Sequence, residues 1–272
     1  MKPALLALTL TALLTPALSH AASPAVSADQ YAKVLAGDWR APENVARDGY
    51  RHPQATLQFF GLAPTQTVVE ITPGNGWYSE VLSPLLKDHG HYIAAVQAPT
   101  VSDYARKNEE KLKAKFAATP AQYAKAQVLE FDPKAPSFGK PGSADTVLTF
   151  RNVHNWVLAD TAPLMFQAFF KVLKPGGVLG VVDHRAKDGA SLEDIKHSGY
   201  LTTDYVVKLA TDAGFKLEAQ SEINANPKDT KDYPEGVWTL PPALTLGEKD
   251  RAKYVAIGES DRMTLRFVKP AK

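Results

Sequence analysis

The stretch VVEITPGNGWYSEVLSPLL, residues 68–86, runs from a short apolar segment through Pro-Gly-Asn-Gly into an amphipathic pattern. It reads as a buried strand, a tight turn and a helix. Gly74 and Gly76 lack a Cβ and reach positive φ, so this turn brings backbone N–H groups close to an anionic or polar ligand at a helix start. A dinucleotide site asks for G-x-G-x-x-G and an acidic residue about 20 positions further on. Here Ser79 stands where the third glycine belongs, and the second apolar run ends in Gln97. An acid stands instead at Glu70, near the end of the first strand. A negative charge there suits a cationic ligand better than a pyrophosphate, which disfavours a nicotinamide-dependent oxidoreductase.

Downstream, β-rich apolar runs alternate with helix-period segments. Strands are expected at 68–71, 92–97, 128–131, 146–150, 178–183, 216–223 and 263–268, and helices at 77–87, 103–118, 161–173 and 203–213. The pattern predicts an α/β fold, a doubly wound seven-stranded mainly parallel sheet with helices on both faces. The last two strands lack a helical crossover and read as an antiparallel pair. Pro84 should kink or shorten its helix. Residues 27–61 read as two helices packed ahead of the sheet. The densely charged segment 103–115 reads as a solvated outer helix. Residues 224–261 hold Pro227, Pro234, Pro241, Pro242, Tyr233, Trp238 and Tyr254. So long a connection is usually a functional loop, and a short helix is expected around 248–256.

Met1-Lys2 precedes a mostly apolar run, 4–18, and then Ser19-His20-Ala21. These are the three parts of a secretory signal, and the run is too short to span a bilayer. The expected organisation is a signal peptide at 1–21, a helical N-terminal cap at 22–62 and a main domain at 63–272 with an insertion or lid at 224–261. The mature protein is then periplasmic or secreted, with no membrane insertion after signal removal. The chain has no cysteine, so neither disulfides nor a lipid-modified cysteine arise. Its 31 Lys and Arg against 29 Asp and Glu leave a net charge of +2. That balance argues against nucleic acid or an anionic membrane as partner.

Three motifs resemble the class I S-adenosylmethionine-dependent methyltransferases. Glu70-Ile71-Thr72-Pro73-Gly74-Asn75-Gly76 is similar to the family's acid-x-Gly-x-Gly-x-Gly, with Thr72 at the first glycine. Lys171-Val172-Leu173-Lys174-Pro175-Gly176-Gly177 resembles its L-x-P-G-G turn, and Ala144-Asp145-Thr146-Val147-Leu148 its acid-led fourth strand. Arg151-Asn152-Val153 resembles the next turn of quinone-biosynthesis C-methyltransferases. With Arg51-His52-Pro53 and Trp77-Tyr78 added, the chain is similar to a bacterial group of exported methyltransferase-like proteins. The resemblance implies a Rossmann-like methyltransferase fold, S-adenosylmethionine as cofactor and a small-molecule acceptor. Glu70 and the backbone of Thr72, Gly74, Asn75 and Gly76 would face the methionine end, Gln97 the ribose hydroxyls and Asp132 the adenine amino group. Tyr78 and Asn152 complete the expected cofactor set. Gln97 stands where the family usually carries a carboxylate, a stronger acceptor. Asp132 reads equally as a turn residue ahead of Pro133.

Methyl transfer is an in-line displacement, so the protein aligns the acceptor and removes its proton where it carries one. Acceptors in this fold lie beyond the carboxyl ends of the strands. The sequence places His154 after strand four and Asp183 and His184 after strand five, and these three are the candidate catalytic residues. Each has a bland reading too: a packed histidine for His154, a turn cap for Asp183. No metal is expected, because nothing shows zinc-like spacing. Arg40, Arg47, Asp48, Arg51 and His52 form either a solvated face or, through Arg51-His52, a closure over the cofactor. A catalytically silent periplasmic binding or scaffold protein on the same fold is the alternative, with Thr72 and Gln97 as its departures.

Overall fold

A computed structural model describes residues 24–271. The signal segment, 1–21, lies outside the described residues. Seven runs of extended chain pair into one sheet: β1 (Thr67–Ile71), β2 (His91–Gln97), β3 (Gln127–Phe131), β4 (Ala144–Phe150), β5 (Leu173–His184), β6 (Lys216–Ser221) and β7 (Arg262–Val268). Their order is β3-β2-β1-β4-β5-β7-β6. The first five pair in parallel, and β7 runs antiparallel to both β5 and β6. After β3 the chain returns to the far side of β1, so a crevice opens at the carboxyl ends of β1 and β4, the switch point where ligands of open α/β sheets bind. Both strands are covered on two faces. Their runs, Val68-Val69 and Val147-Leu148, are accordingly continuous in apolar residues and fully buried.

The main-domain helices are α5 (Ser79–Leu86), α6 (Asp103–Ala118), α7 (Pro120–Tyr123), α8 (Val153–Leu158), α9 (Ala162–Val172), α10 (Leu192–Ser198), α11 (Thr203–Asp212) and α12 (Arg251–Ile257). On one sheet face Tyr31, Leu57 and Phe60 of the cap join Leu82 and Leu86 of α5. On the other, Met165, Phe166 and Phe169 of α9 join Val147, Leu179 and Phe267. Each such leucine, methionine or phenylalanine contributes about 1.5–3 kcal/mol of burial.

The cap forms four short helices rather than the expected two: α1 (Ala28–Leu35), α2 (Pro42–Val45), α3 (Asp48–Arg51) and α4 (Pro53–Phe59). Pro42 and Pro53 each open a helix. His52, ahead of Pro53, is pushed out of the right-handed helical region and takes φ 42°. Pro84 remains inside α5, and it has a consequence beyond the expected shortening. Lacking an N–H, it leaves the Glu80 carbonyl without its helical donor, and the Trp39 indole Nε1 donates to that oxygen at 2.9 Å. The Glu80 carboxylate is fully buried, accepts from Asn44 Nδ2 at 2.9 Å and pairs with Lys115. The start of α5 is thereby fastened to the cap and to α6.

Segment 224–261 is anchored rather than loose. Asn224 Nδ2 donates to Thr56 Oγ1 and Thr264 Oγ1 at 3.1 and 2.9 Å. The Asp229 carboxylate accepts from the Tyr200 hydroxyl and from Asp261 N–H. Its helix, α12, starts three residues later than expected. No helix among the described residues is long and apolar enough to cross a membrane.

Candidate functional site

A cleft of about 860 Å³ occupies the switch point, lined by the β1–α5 turn, the end of β2, the β4–α8 turn, Arg47 and Arg51 of the cap, and Pro242. The turn is held in an unusual shape. Thr72, Gly74 and Gly76 have φ of 52°, 59° and 77°. For a β-branched residue this left-handed conformation costs about 1–2 kcal/mol. The Thr72 N–H donates to Ala95 O at 2.8 Å, which fixes the strained residue, while its buried Oγ1 has no partner. A Cβ on Gly74 would meet nothing within 4 Å, whereas one on Gly76 would stand 3.0 Å from Leu112 Cδ1. Gly76 therefore lets α6 approach, and Gly74 leaves its outer side open to a ligand.

Glu70 lies beneath this turn, 3% exposed. Its Oε2 accepts from the Tyr92 hydroxyl at 2.5 Å and from Ser79 Oγ at 3.3 Å. Burial pushes its carboxyl up to about 7, against those hydrogen bonds and the Lys115 and Arg51 charges. A cation in the cleft would reverse that penalty. Asn152 Nδ2 donates to Ile71 O at 3.0 Å, tying the end of β4 to the end of β1. Tyr78 stacks on Phe150 with centroids 3.5 Å apart. Of the expected cofactor set, Glu70, Thr72, Gly74, Asn75, Tyr78, Gln97 and Asn152 all line the cleft. Gly76 and Asp132 do not. Asp132 is exposed, and its Oδ1 accepts Lys134 N–H at 2.8 Å, which is the turn reading of that residue.

His154, Asp183 and His184 come together beside the cleft. His154 Nδ1 and Asp183 Oδ1 are 2.9 Å apart, and the carboxylate also accepts Val153, His154 and His184 N–H groups at 2.6, 3.4 and 2.8 Å. Asp183 thus caps α8 and also grips the imidazole. Because a carboxylate only accepts, Nδ1 of His154 carries a proton, which leaves Nε2 as the ring nitrogen that can give or take one. His184 stays neutral: burial first, then the His154 and Arg151 charges, hold it well below its ordinary value. Both imidazoles line a second cavity of about 170 Å³, which shares Arg151 and Pro242 with the cleft and is walled by Trp238 and Pro241. The three side chains offer ligand atoms within 4.8 Å of one another. Asp183 is already saturated by donors, however, and the Arg151, Arg262 and Arg51 charges acting on His184 oppose a cation there.

The cap's polar set is no solvated face. Arg40 and Arg51 are buried, Arg40 pairs with Asp48 at 2.6 and 2.8 Å, and only His52 of the expected closing pair is exposed. Arg51 lies 4.7 Å from the Trp77 ring. Arg47, Arg51 and Arg262 converge on Glu259 at 2.6, 3.3 and 3.1 Å. Burial pushes the Glu259 carboxyl up, but the Arg51, Arg262, Arg151 and Arg47 charges together outweigh it and hold it at about 2. Sequence reasoning missed Glu259, Glu80 and Arg151. Arg151 alone carried a signal, through its place in the Arg-Asn-Val turn.

The sequence matches no protein-family model and no curated protein. Solved structures match the fold. An S-adenosylmethionine-dependent methyltransferase from Aquifex aeolicus is 17% identical over 82% of this chain and 93% of its own, with a TM-score of 0.55. The [4+2]-cyclase SpnF is 14% identical over 87% of this chain and 86% of its own, with a TM-score of 0.58. The chain therefore has the class I methyltransferase fold. A cyclase among these structures shows that the fold leaves the reaction open.

Proposed function

We propose that this protein binds S-adenosylmethionine in the large cleft and transfers its methyl group to a small molecule held in the adjoining pocket. The carrying observation is the glycine-containing turn at the switch point, with the buried Glu70 carboxyl beneath it and an unpartnered Thr72 hydroxyl on it. The residues present fit such a cofactor. Glu70 offers negative charge to its cationic groups, Arg47 and Arg51 offer guanidinium donors to its carboxylate, and the Gln97 amide oxygen accepts from ribose hydroxyls. Bound there, the sulfonium supplies an electrophilic methyl group. His154 Nε2 takes the proton from an acceptor that carries one, Asp183 fixes the imidazole tautomer, and Trp238 with the two prolines limits water.

Export through the 1–21 segment is part of the proposal. It is supported by the charged start, short apolar run and small-residue end of that segment. In a Gram-negative host the chain should appear in the periplasmic fraction, shortened by about twenty residues.

Calorimetry of the mature chain with S-adenosylmethionine, S-adenosylhomocysteine and NAD tests the function. Binding of the first two and none of NAD is expected. Thr72 strain and the neutral Gln97 favour a second reading, a catalytically silent scaffold. Absence of heat with either adenosyl compound at about 1 mM would select it.

A further inference from the structure

Arg151 stands where the cleft and the smaller pocket meet, and it lines both. Its backbone is strained, at φ 60°, and is pinned by a hydrogen bond from its N–H to Val182 O at 2.7 Å. Strain of this kind persists only where the surroundings over-determine it, and it concentrates at ligand sites. Among the described residues its guanidinium makes no hydrogen bond and no ion pair. Arg47, Arg51 and Arg262, by contrast, each pair with Glu259.

Four guanidinium groups thus act on one carboxylate. The other carboxylate acting on Arg151 is Asp183, whose oxygens already accept four donors. Burial, with the Arg262 and Arg47 charges added, pulls Arg151 down to about 10 against the opposite effect of Glu259. An arginine remains protonated at neutral pH, so this marks a positive charge held without its counter-charge. The guanidinium fork presents paired donors that match a carboxylate or a phosphate group.

Apart from Arg151 and the His154 and His184 imidazoles, the walls of the pocket are apolar, Trp238, Pro241 and Pro242 among them. Its volume is about 170 Å³. An engineered apolar cavity of about 150 Å³ accepts a benzene ring. The Trp238 ring centre lies 6.2 Å from that of His154, so a ring-sized body on this wall sits beside that imidazole.

We propose that the acceptor is a ring-sized organic oxyanion, its carboxylate or phosphate group seated on Arg151 and its apolar body against Trp238 and Pro242. Its role as acceptor rests on the methyl transfer proposed above; the binding of the anion does not.

The test is titration calorimetry of the mature chain with benzoate, phenyl phosphate and neutral benzamide, each with and without saturating S-adenosylhomocysteine. At least one of the two anions should bind at least about tenfold tighter than benzamide, and the tighter one identifies the oxyanion. Arg151→Gln should weaken that anion by about tenfold or more, the loss of a charged hydrogen bond, and leave benzamide unchanged. Arg151→Lys, which keeps the charge and loses the fork, should fall between and preserves the fold if the glutamine variant does not. Trp238→Ala should weaken the anion and spare S-adenosylhomocysteine. Equal binding of benzamide, no anion binding at about 10 mM, or indifference to both Arg151 substitutions would overturn the proposal. So would displacement of the anion by S-adenosylhomocysteine, which would assign Arg151 to the cofactor's carboxylate. Failure of wild type to bind S-adenosylhomocysteine, with anion binding intact, would defeat the methyl-transfer reading alone.

Discussion

Glu70→Gln keeps the shape of the side chain and removes its titration. A carboxyl whose folded pKa is raised stabilises the fold fully below its unfolded value, and that contribution is lost as pH rises through the folded value. For Glu70 the window runs from 4.5 to about 7. At 1.36 kcal/mol per pH unit, ionising the buried group should remove about 2.5 kcal/mol of stability between pH 5 and pH 8. The variant lacks this loss. Its melting temperature should therefore gain on wild type by about 5–10 °C across that range, at about 2–4 °C per kcal/mol for a chain of this size. Ligand binding should move the opposite way. If only the ionised carboxylate receives the cationic cofactor, wild-type affinity falls about fivefold from pH 7 to pH 6, where the cofactor's own α-amino group stays charged. The glutamine variant should bind about ten- to a hundredfold more weakly at pH 8 and show no such slope. Calorimetry in two buffers of different ionisation enthalpy counts the protons: about half a proton released per cofactor at pH 7 in wild type, none in the variant. A difference in melting temperature that does not change with pH, or proton release that survives the substitution, would refute the reasoning.

Gln97→Glu should tighten S-adenosylhomocysteine by up to about tenfold, because a carboxylate accepts from hydroxyls more strongly than an amide; unchanged or weaker binding in calorimetry would place the ribose elsewhere. Thr72→Gly should raise the melting temperature by about 2–4 °C, by relieving left-handed strain and removing a buried unpartnered hydroxyl, and a fall in scanning calorimetry would contradict both. Asp183→Ala strands four buried donors and should cost more than about 3 kcal/mol in urea unfolding, with faster amide exchange at Val153 and His184. A loss under about 1 kcal/mol would mean that water replaces the carboxylate.

The strand, turn and helix of 68–86 were legible because their signals are local: an apolar run, two glycines and a helical period. The cap's division was half legible, since Pro42 and Pro53 were visible while the left-handed turn at His52 was not: a following proline disfavours the right-handed helix without selecting the left-handed region. Helix α8 went unseen because its cap is the Asp183 carboxylate, some 30 positions away, and not a residue beside it. Asp132 could not be settled from sequence, for an acid ahead of a proline suits a ligand and a turn equally. Glu80 and Glu259 carry ordinary charges in ordinary surroundings along the chain. Only folding reveals that partners from several elements converge on them, and no periodicity encodes a contact between residues 47 and 259.

That contact also governs when the protein becomes complete. Arg47 and Glu259 are 212 positions apart. At about 5–20 residues per second, a ribosome finishes the cap roughly ten seconds or more before the carboxylate that neutralises it. Strand β7, which follows the others in sequence yet inserts between β5 and β6, arrives later still. Until then β5 presents an open edge and the cap guanidiniums repel one another, so the growing chain can neither close its sheet nor assemble its binding site. Assembly needs the whole chain, and one stopped short of Arg262 lacks both the strand that pairs β5 with β6 and an arginine that shares Glu259.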